Sequence, residues 1–227
     1  MRFAKITLAY VTILALSTCE WCEPGPTIQE QVDAFNEAGW QLFTENKFTA
    51  ALEEFMEGLN LDPINSSGNV GRGWSLLMLD DEDQDMIVAA LEVGATAPST
   101  DGWQKHSWCG LAVVKLNQLL YPAADSLAEL VLAADSGYVF TYREQINWCD
   151  LLVIQAQARF FAIDYDGAWQ AVGPLLADTP TLEVGLPDGN LDRADSSTWI
   201  VDGITFALYE EALASVIFKL VKKYRME

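Results

Sequence analysis

Four alanines set the frame of this chain. Ala51, Ala89, Ala124 and Ala168 follow one another at intervals of 38, 35 and 44 residues, and each stands three residues after a large side chain: Phe48, Met86, Tyr121 and Tyr165. Spacing of this kind over 227 residues marks an array of similar helical units. One such unit cannot bury its own apolar face, so neighbours must stack to make a core.

The clearest unit runs from Asp33 to Pro63. Phe35, Ala38, Gly39, Leu42, Phe48, Ala51, Phe55 and Gly58 recur at helical spacing and predict two packed helical faces. Asn46 and Lys47 interrupt the pattern where a turn is needed, and Leu61-Asp62-Pro63 ends it, because a residue before proline avoids the helical region. The same intervals return in Leu152 to Pro180, at Ala156, Tyr165, Ala168, Val172 and Pro180. Trp108, Ala112, Tyr121, Ala124 and Ala128 keep them between the two, and Leu77, Met86, Ala89 and Val93 form a looser copy. The longest insertion falls around Ser136 to Gln145.

On Gly39, Phe48, Ala51, Phe55, Gly58 and Pro63 the chain resembles the tetratricopeptide repeat, a helix–turn–helix of about 34 residues. The resemblance implies an all-α solenoid of about four repeats over residues 31–182. The competing architecture is an ordinary helical bundle. Residues 183–227 depart from the repeat. Trp199 to Phe206 places two β-prone runs on either side of Asp202-Gly203, which predicts a small hairpin. A helix follows from near Leu208, with one stripe of Leu208, Ala212, Val216 and Leu220 and a second of Leu213, Ile217, Val221 and Tyr224. An open solenoid needs its last apolar face covered, and this helix is expected to be the cap.

The N-terminus reads as an export signal. Arg2 and Lys5 precede an apolar run from Ile6 to Leu16, too short to span a bilayer and right for a secretory signal over residues 1–18. The run ends Leu16-Ser17-Thr18-Cys19, which resembles the bacterial lipobox and makes Cys19 the expected lipidation site. Cleavage near Ala15-x-Ser17, giving a soluble exported chain, is the competing outcome, and a buried first helix is a third. Residues 19–30 would then carry the lipid and serve as a tether, with Pro24, Gly25 and Pro26 breaking any regular structure. The layout is similar to that of exported bacterial repeat lipoproteins, which implies a place at the cell envelope, facing the periplasm or the cell surface.

Charge and composition narrow the function. The chain carries 33 acidic and 13 basic residues, a net charge of −20, which opposes nucleic acid and anionic lipid surfaces. Membrane contact is therefore expected only through the lipid anchor. His106 is the one histidine and no Gly-x-Ser-x-Gly segment is present, so a hydrolytic triad is not expected. Glu53-Glu54 and the acidic run from Asp80 to Asp85 could supply paired carboxylates for a hydrolase, but such runs are usually solvated faces. Asp188, Asn190 and Asp192 alternate as calcium ligands do, yet Arg193 and Trp199 stand where that loop needs glycine and glutamate. Cys19, Cys22, Cys109 and Cys149 lack zinc-site spacing, and the pair Cys109–Cys149 is open to a disulfide or to two buried thiols. No catalytic residue, metal or cofactor is expected.

A repeat array binds along its concave face. The resemblance places Asp33, Asn36 and Trp40, then Trp74 and Met78, on the groove side of successive first helices. It adds His106, Val113 and Asn117, then Asp150, Val153 and Gln157. None of these is a lysine or arginine, so a clamp for a peptide carboxylate is not implied. The expected function is a non-catalytic interaction or scaffold module with a protein or peptide partner in the groove. A small-molecule or glycan-binding protein is the alternative. Trp40 and Trp74 are either anchors for that partner or core residues packed between helices.

Overall fold

The computed structural model describes residues 25–79, 83–96, 102–185 and 190–224. The expected signal segment and Cys19 lie outside the described residues, as do Cys22, Asp188 and residues 80–82 of the acidic run. Among the described residues the chain forms nine α-helices: α1 (Ile28–Thr44), α2 (Phe48–Leu61), α3 (Ser66–Met78), α4 (Gln84–Thr96), α5 (Trp103–Asn117), α6 (Tyr121–Ala134), α7 (Trp148–Phe161), α8 (Tyr165–Ala177) and α9 (Tyr209–Tyr224). Consecutive helices pack side by side from α1 to α8. The first helices of neighbouring hairpins, α1, α3, α5 and α7, also touch one another, whereas the second helices do so far less. The stack therefore curves with the first helices on its inner side. The result is an all-α hairpin solenoid of four units, closed by a small β-hairpin and a capping helix, as the residue spacing predicts.

The turns inside the hairpins repeat bond for bond. Asn46, Leu119 and Ile163 each adopt positive φ, at 59°, 60° and 66°, two residues before Phe48, Tyr121 and Tyr165. In each turn the next residue donates back five positions: Lys47 to Leu42, Leu120 to Lys115 and Asp164 to Arg159, all at 2.9 Å. This closes the free carbonyls at the end of each first helix. An aliphatic side chain in the left-handed region costs on the order of 1–2 kcal/mol, so Leu119 and Ile163 hold it against local preference.

Between hairpins the backbones approach closely. Phe55 on α2 lies against the bare backbones of Gly39 on α1 and Gly71 on α3; a Cβ on Gly39 would sit 2.7 Å from the ring. Leu91 on α4 repeats this one unit further, between Gly73 on α3 and Gly110 on α5. Ala51, Ala124 and Ala168 are fully buried at the corresponding crossings. The second unit corrects the expected register by one residue. Ile87, Ala90, Leu91 and Gly94 face inward, while Met86 and Ala89 are exposed. The buried set is the one that lets Leu91 reach both glycines.

At the C-terminal end β1 (Ile200–Val201) pairs with β2 (Ile204–Thr205) around Asp202 and Gly203, both at positive φ. Lys219 of α9 pairs with Asp202, fixing the hairpin to the cap. Helix α9 lies on α7 and α8 and buries Ala212, Leu213, Val216, Ile217 and Leu220. At the other end α1 begins at Ile28, earlier than the expected tether boundary at residue 30, because Thr27 and Glu30 form a reciprocal capping box.

Gly71→Ala tests the close approach. The new methyl would overlap the Phe55 ring, which Gly39 pins from the other side, and should cost about 1–3 kcal/mol in urea melts. A variant as stable as the parent would mean that α2 and α3 do not meet as described.

Candidate binding groove

The insertion between α6 and α7 folds back into the concave face. Phe140 N–H donates to Ile146 at 2.8 Å and Trp148 N–H to Tyr138 at 2.8 Å, so residues 138–148 form a narrow irregular loop, here called the strap. Its side chains alternate. Tyr138 and Phe140 are fully buried and Tyr142 half-buried, while Val139 and Thr141 point to solvent. A period of two is that of an extended chain with one face covered.

The buried face of the strap meets three hairpins at once. Phe140 stacks on Trp74 with ring centres 4.7 Å apart and lies 5.0 Å from the His106 ring and 6.0 Å from Trp40. Tyr142 stacks on Trp40 at 4.0 Å, and Trp103 stacks on Trp40 at 5.2 Å. The Tyr138 hydroxyl is 3.0 Å from His106 Nδ1. At the tip, Arg143 donates to Asn46 Oδ1 at 3.1 Å and its guanidinium lies over the Phe48 ring. Lys105 and Asp135 form an ion pair at the base.

The groove residues named from sequence therefore divide. Trp40 and Trp74 do sit on the groove side of α1 and α3, but they are 4% and 0% exposed, because the strap covers them. They are core residues, not open anchors, and each indole N–H is already spent: Trp40 on Ser67 Oγ at 2.9 Å and Trp74 on the His106 carbonyl at 3.0 Å. His106 is buried in the same cluster, and Asn36 is buried at the α1–α3 contact, donating to Asn65. Asp33 is exposed near the start of α1, accepting from Gln29.

The remaining residues come together. Met78, Asn117 and Gln157, with Val113, Asp150 and Val153, line one cavity of about 460 Å³. It lies beyond the strap, where α3, α5 and α7 face the capping helix, whose Val221 and Tyr224 complete the wall. Phe48 and Arg143 close it on the strap side. These four had no part in the sequence-based groove. The alternation of Tyr138, Phe140 and Tyr142 is the one signal that could have shown the insertion entering the groove with Arg143 at its tip.

Four of the buried groups here have shifted protonation. Burial pushes the His106 imidazole down to about 4, with the Lys105 charge adding to it, so the ring is neutral. Burial pushes the Asp150 carboxyl up to about 6, opposed by the hydrogen bond from the Asn147 N–H at 2.8 Å. That bond is half of a capping box that starts α7: Asn147 caps the helix and Asp150 caps Asn147. Cys109 and Cys149 are free and buried thiols, pushed by burial up to about 12 and about 11, and neither is poised as a nucleophile. Among the described residues lining the cavity, Asp150 is the one acid. Glu53 and Glu54 lie on α2, away from it.

No family model matches this sequence, and no curated protein matches it. No helix among the described residues is long and apolar enough to cross a membrane.

His106 and Asp150 predict opposite pH dependences. The depressed His106 contributes stability that is present above its ordinary value of 6.5 and is lost as pH falls towards 4. The raised Asp150 contributes stability that is present below 3.8 and is lost as pH rises through about 6. Each displacement is worth roughly 3 kcal/mol, so between pH 4 and 6 the two largely offset each other. Asp150→Asn removes the second effect and keeps an oxygen to accept from Asn147. The variant should be more stable than the parent at neutral pH and lose that advantage by pH 4 in urea melts. Parallel stability profiles across this range would mean that Asp150 is not a buried, ionised acid.

Proposed function

We propose that this chain is a non-catalytic interaction module of the tetratricopeptide-repeat type, exported and held at the bacterial cell envelope by a lipid on Cys19. Its partner occupies the part of the concave groove that the strap leaves open. The observation that carries this reading is the cavity of about 460 Å³ built from first-helix residues of three successive hairpins, Met78, Asn117 and Gln157 among them. The repeated left-handed turns and the close crossings at small residues support the repeat assignment. The apolar run ending in Leu-Ser-Thr-Cys supports the anchor.

The strap favours a second reading of the ligand. A long peptide running through the groove would meet Tyr138, Phe140 and Tyr142 where its first half should lie. With the strap at one end and the capping helix at the other, the open stretch has the size of a small-molecule site or of a site for the end of a peptide.

Two measurements test the proposal. A photo-crosslinking residue at Gln157 should capture a partner in intact cells, and the same residue at Asp33, outside the cavity, should not. Equal yields at both positions would remove the groove as the binding face. Cys19→Ala should move the protein from the membrane fraction to the soluble exported fraction, and an intact mass of the parent without added lipid would remove the anchor.

A further inference from the structure

We infer that the open cavity takes the ammonium end of an aliphatic chain, with Asp150 as its counter-ion. The inference rests on the groove reading and names the chemistry of what enters it. The walls are mainly aliphatic: Leu77, Met78, Val113, Leu116, Ile154 and Val221 all line the space. A volume of about 460 Å³ lies in the lower half of the range of ligand sites and accommodates one aliphatic chain.

The head group follows from the two charges on the cavity wall. Arg143 is already engaged, donating to Asn46 Oδ1 and lying over the Phe48 ring, so its charge is placed at the strap end. Asp150 is different. It is 3% exposed and lines the cavity, and the donor to one of its carboxylate oxygens, the Asn147 N–H, carries no net charge. None of the ion pairs among the described residues includes it. A buried carboxylate without a cation is costly, and a bound ammonium supplies the missing charge. The net charge of −20 raises the local concentration of cations around the whole molecule. A carboxylate head on the same chain would set a second negative charge against Asp150. Asn117 and Gln157, also on the wall, offer amide oxygens to the remaining ammonium protons.

The same ammonium-on-alkyl chemistry occurs in a free alkylamine and in a lysine side chain. Calorimetric titration of the folded, full-length protein with n-alkylamines and with n-alkylcarboxylates of equal length tests the head group, and a lysine-bearing peptide beside its acetyl-lysine form tests the source. Amines should bind and carboxylates of equal length should not. Each added methylene should tighten binding by about fourfold until the cavity is full, the equivalent of ~0.8 kcal/mol per buried methylene. Asp150→Asn should weaken the amines at least about tenfold, the scale of one buried charge pair. Binding of the lysine peptide and not of its acetyl form, with free amines silent, also supports the inference and assigns the ammonium to a protein partner. Carboxylates binding as tightly as amines, or neither amines nor the lysine peptide binding, overturns it. If that happens while the crosslinker at Gln157 still captures a partner, the groove reading stands and only the ligand chemistry is wrong. If the crosslinker is silent too, both fall.

Discussion

The Phe140 ring is the contact on which the rest of the molecule depends. In a plain repeat array each unit touches only its neighbours, and stability is a sum of local terms. Here one side chain from the strap reaches Trp40 in the first hairpin, Trp74 in the second and His106 in the third. Arg143 ties the same strap to Asn46, 97 residues earlier in the chain. Closing that long loop costs entropy, though the cost grows slowly with length. Against it stands the complete burial of Tyr138 and Phe140 among five other aromatic rings, those of Trp40, Phe43, Trp74, His106 and Tyr142. The first three hairpins thereby share one continuous buried core with the strap.

A second core begins where the first ends. Cys149, Val153 and Ala156 on α7 join α8, the β-hairpin and α9, while Leu151, Ile154 and Ala158 on the same helix belong to the first core. Helix α7 is thus shared, and its two faces are committed to different partners. The cavity lies along this seam, with Val153 from one core and Ile154 from the other in its wall. An interior is tightly filled inside each core but need not be so between them. Asp150 at the first turn of α7 is then held by a capped helix start in the wall of this cavity.

Much of the fold was legible because helices declare their buried faces by spacing. The small residues at 51, 124 and 168 mark close crossings, and Asp202-Gly203 marks a two-residue turn. The second unit slipped by one position because Met86 and Ala89 have the same spacing as Ile87 and Ala90 and comparable composition. Only contact with Gly73 and Gly110 separates the two registers, and that contact is invisible in one dimension. The groove was half legible for a similar reason. Helical period gives the direction of Trp40 and Trp74 but not what lies on top of them. A short insertion with Ser136 and Gly137 at its start reads as a surface loop, and its extended aromatic face has meaning only once the groove exists to receive it.

The strap also decides the electrostatics of the site. None of the groove positions named on the first helices carries a cation, so a groove lined by them alone would be a neutral-to-acidic trough across its whole length. The insertion fills the aromatic half and brings Arg143 to the boundary, where Asn46 and Phe48 hold it. What is left open is the half that contains Asp150. A substitution on a first helix could add a charge, but it could not shorten the groove. An insertion does both, converting a surface suited to a long peptide into a bounded cavity with a hydrophobic wall and one buried acid. On the binding reading proposed above, selectivity comes from the Asp150 charge on the wall, because apolar walls alone discriminate weakly between chains of equal length.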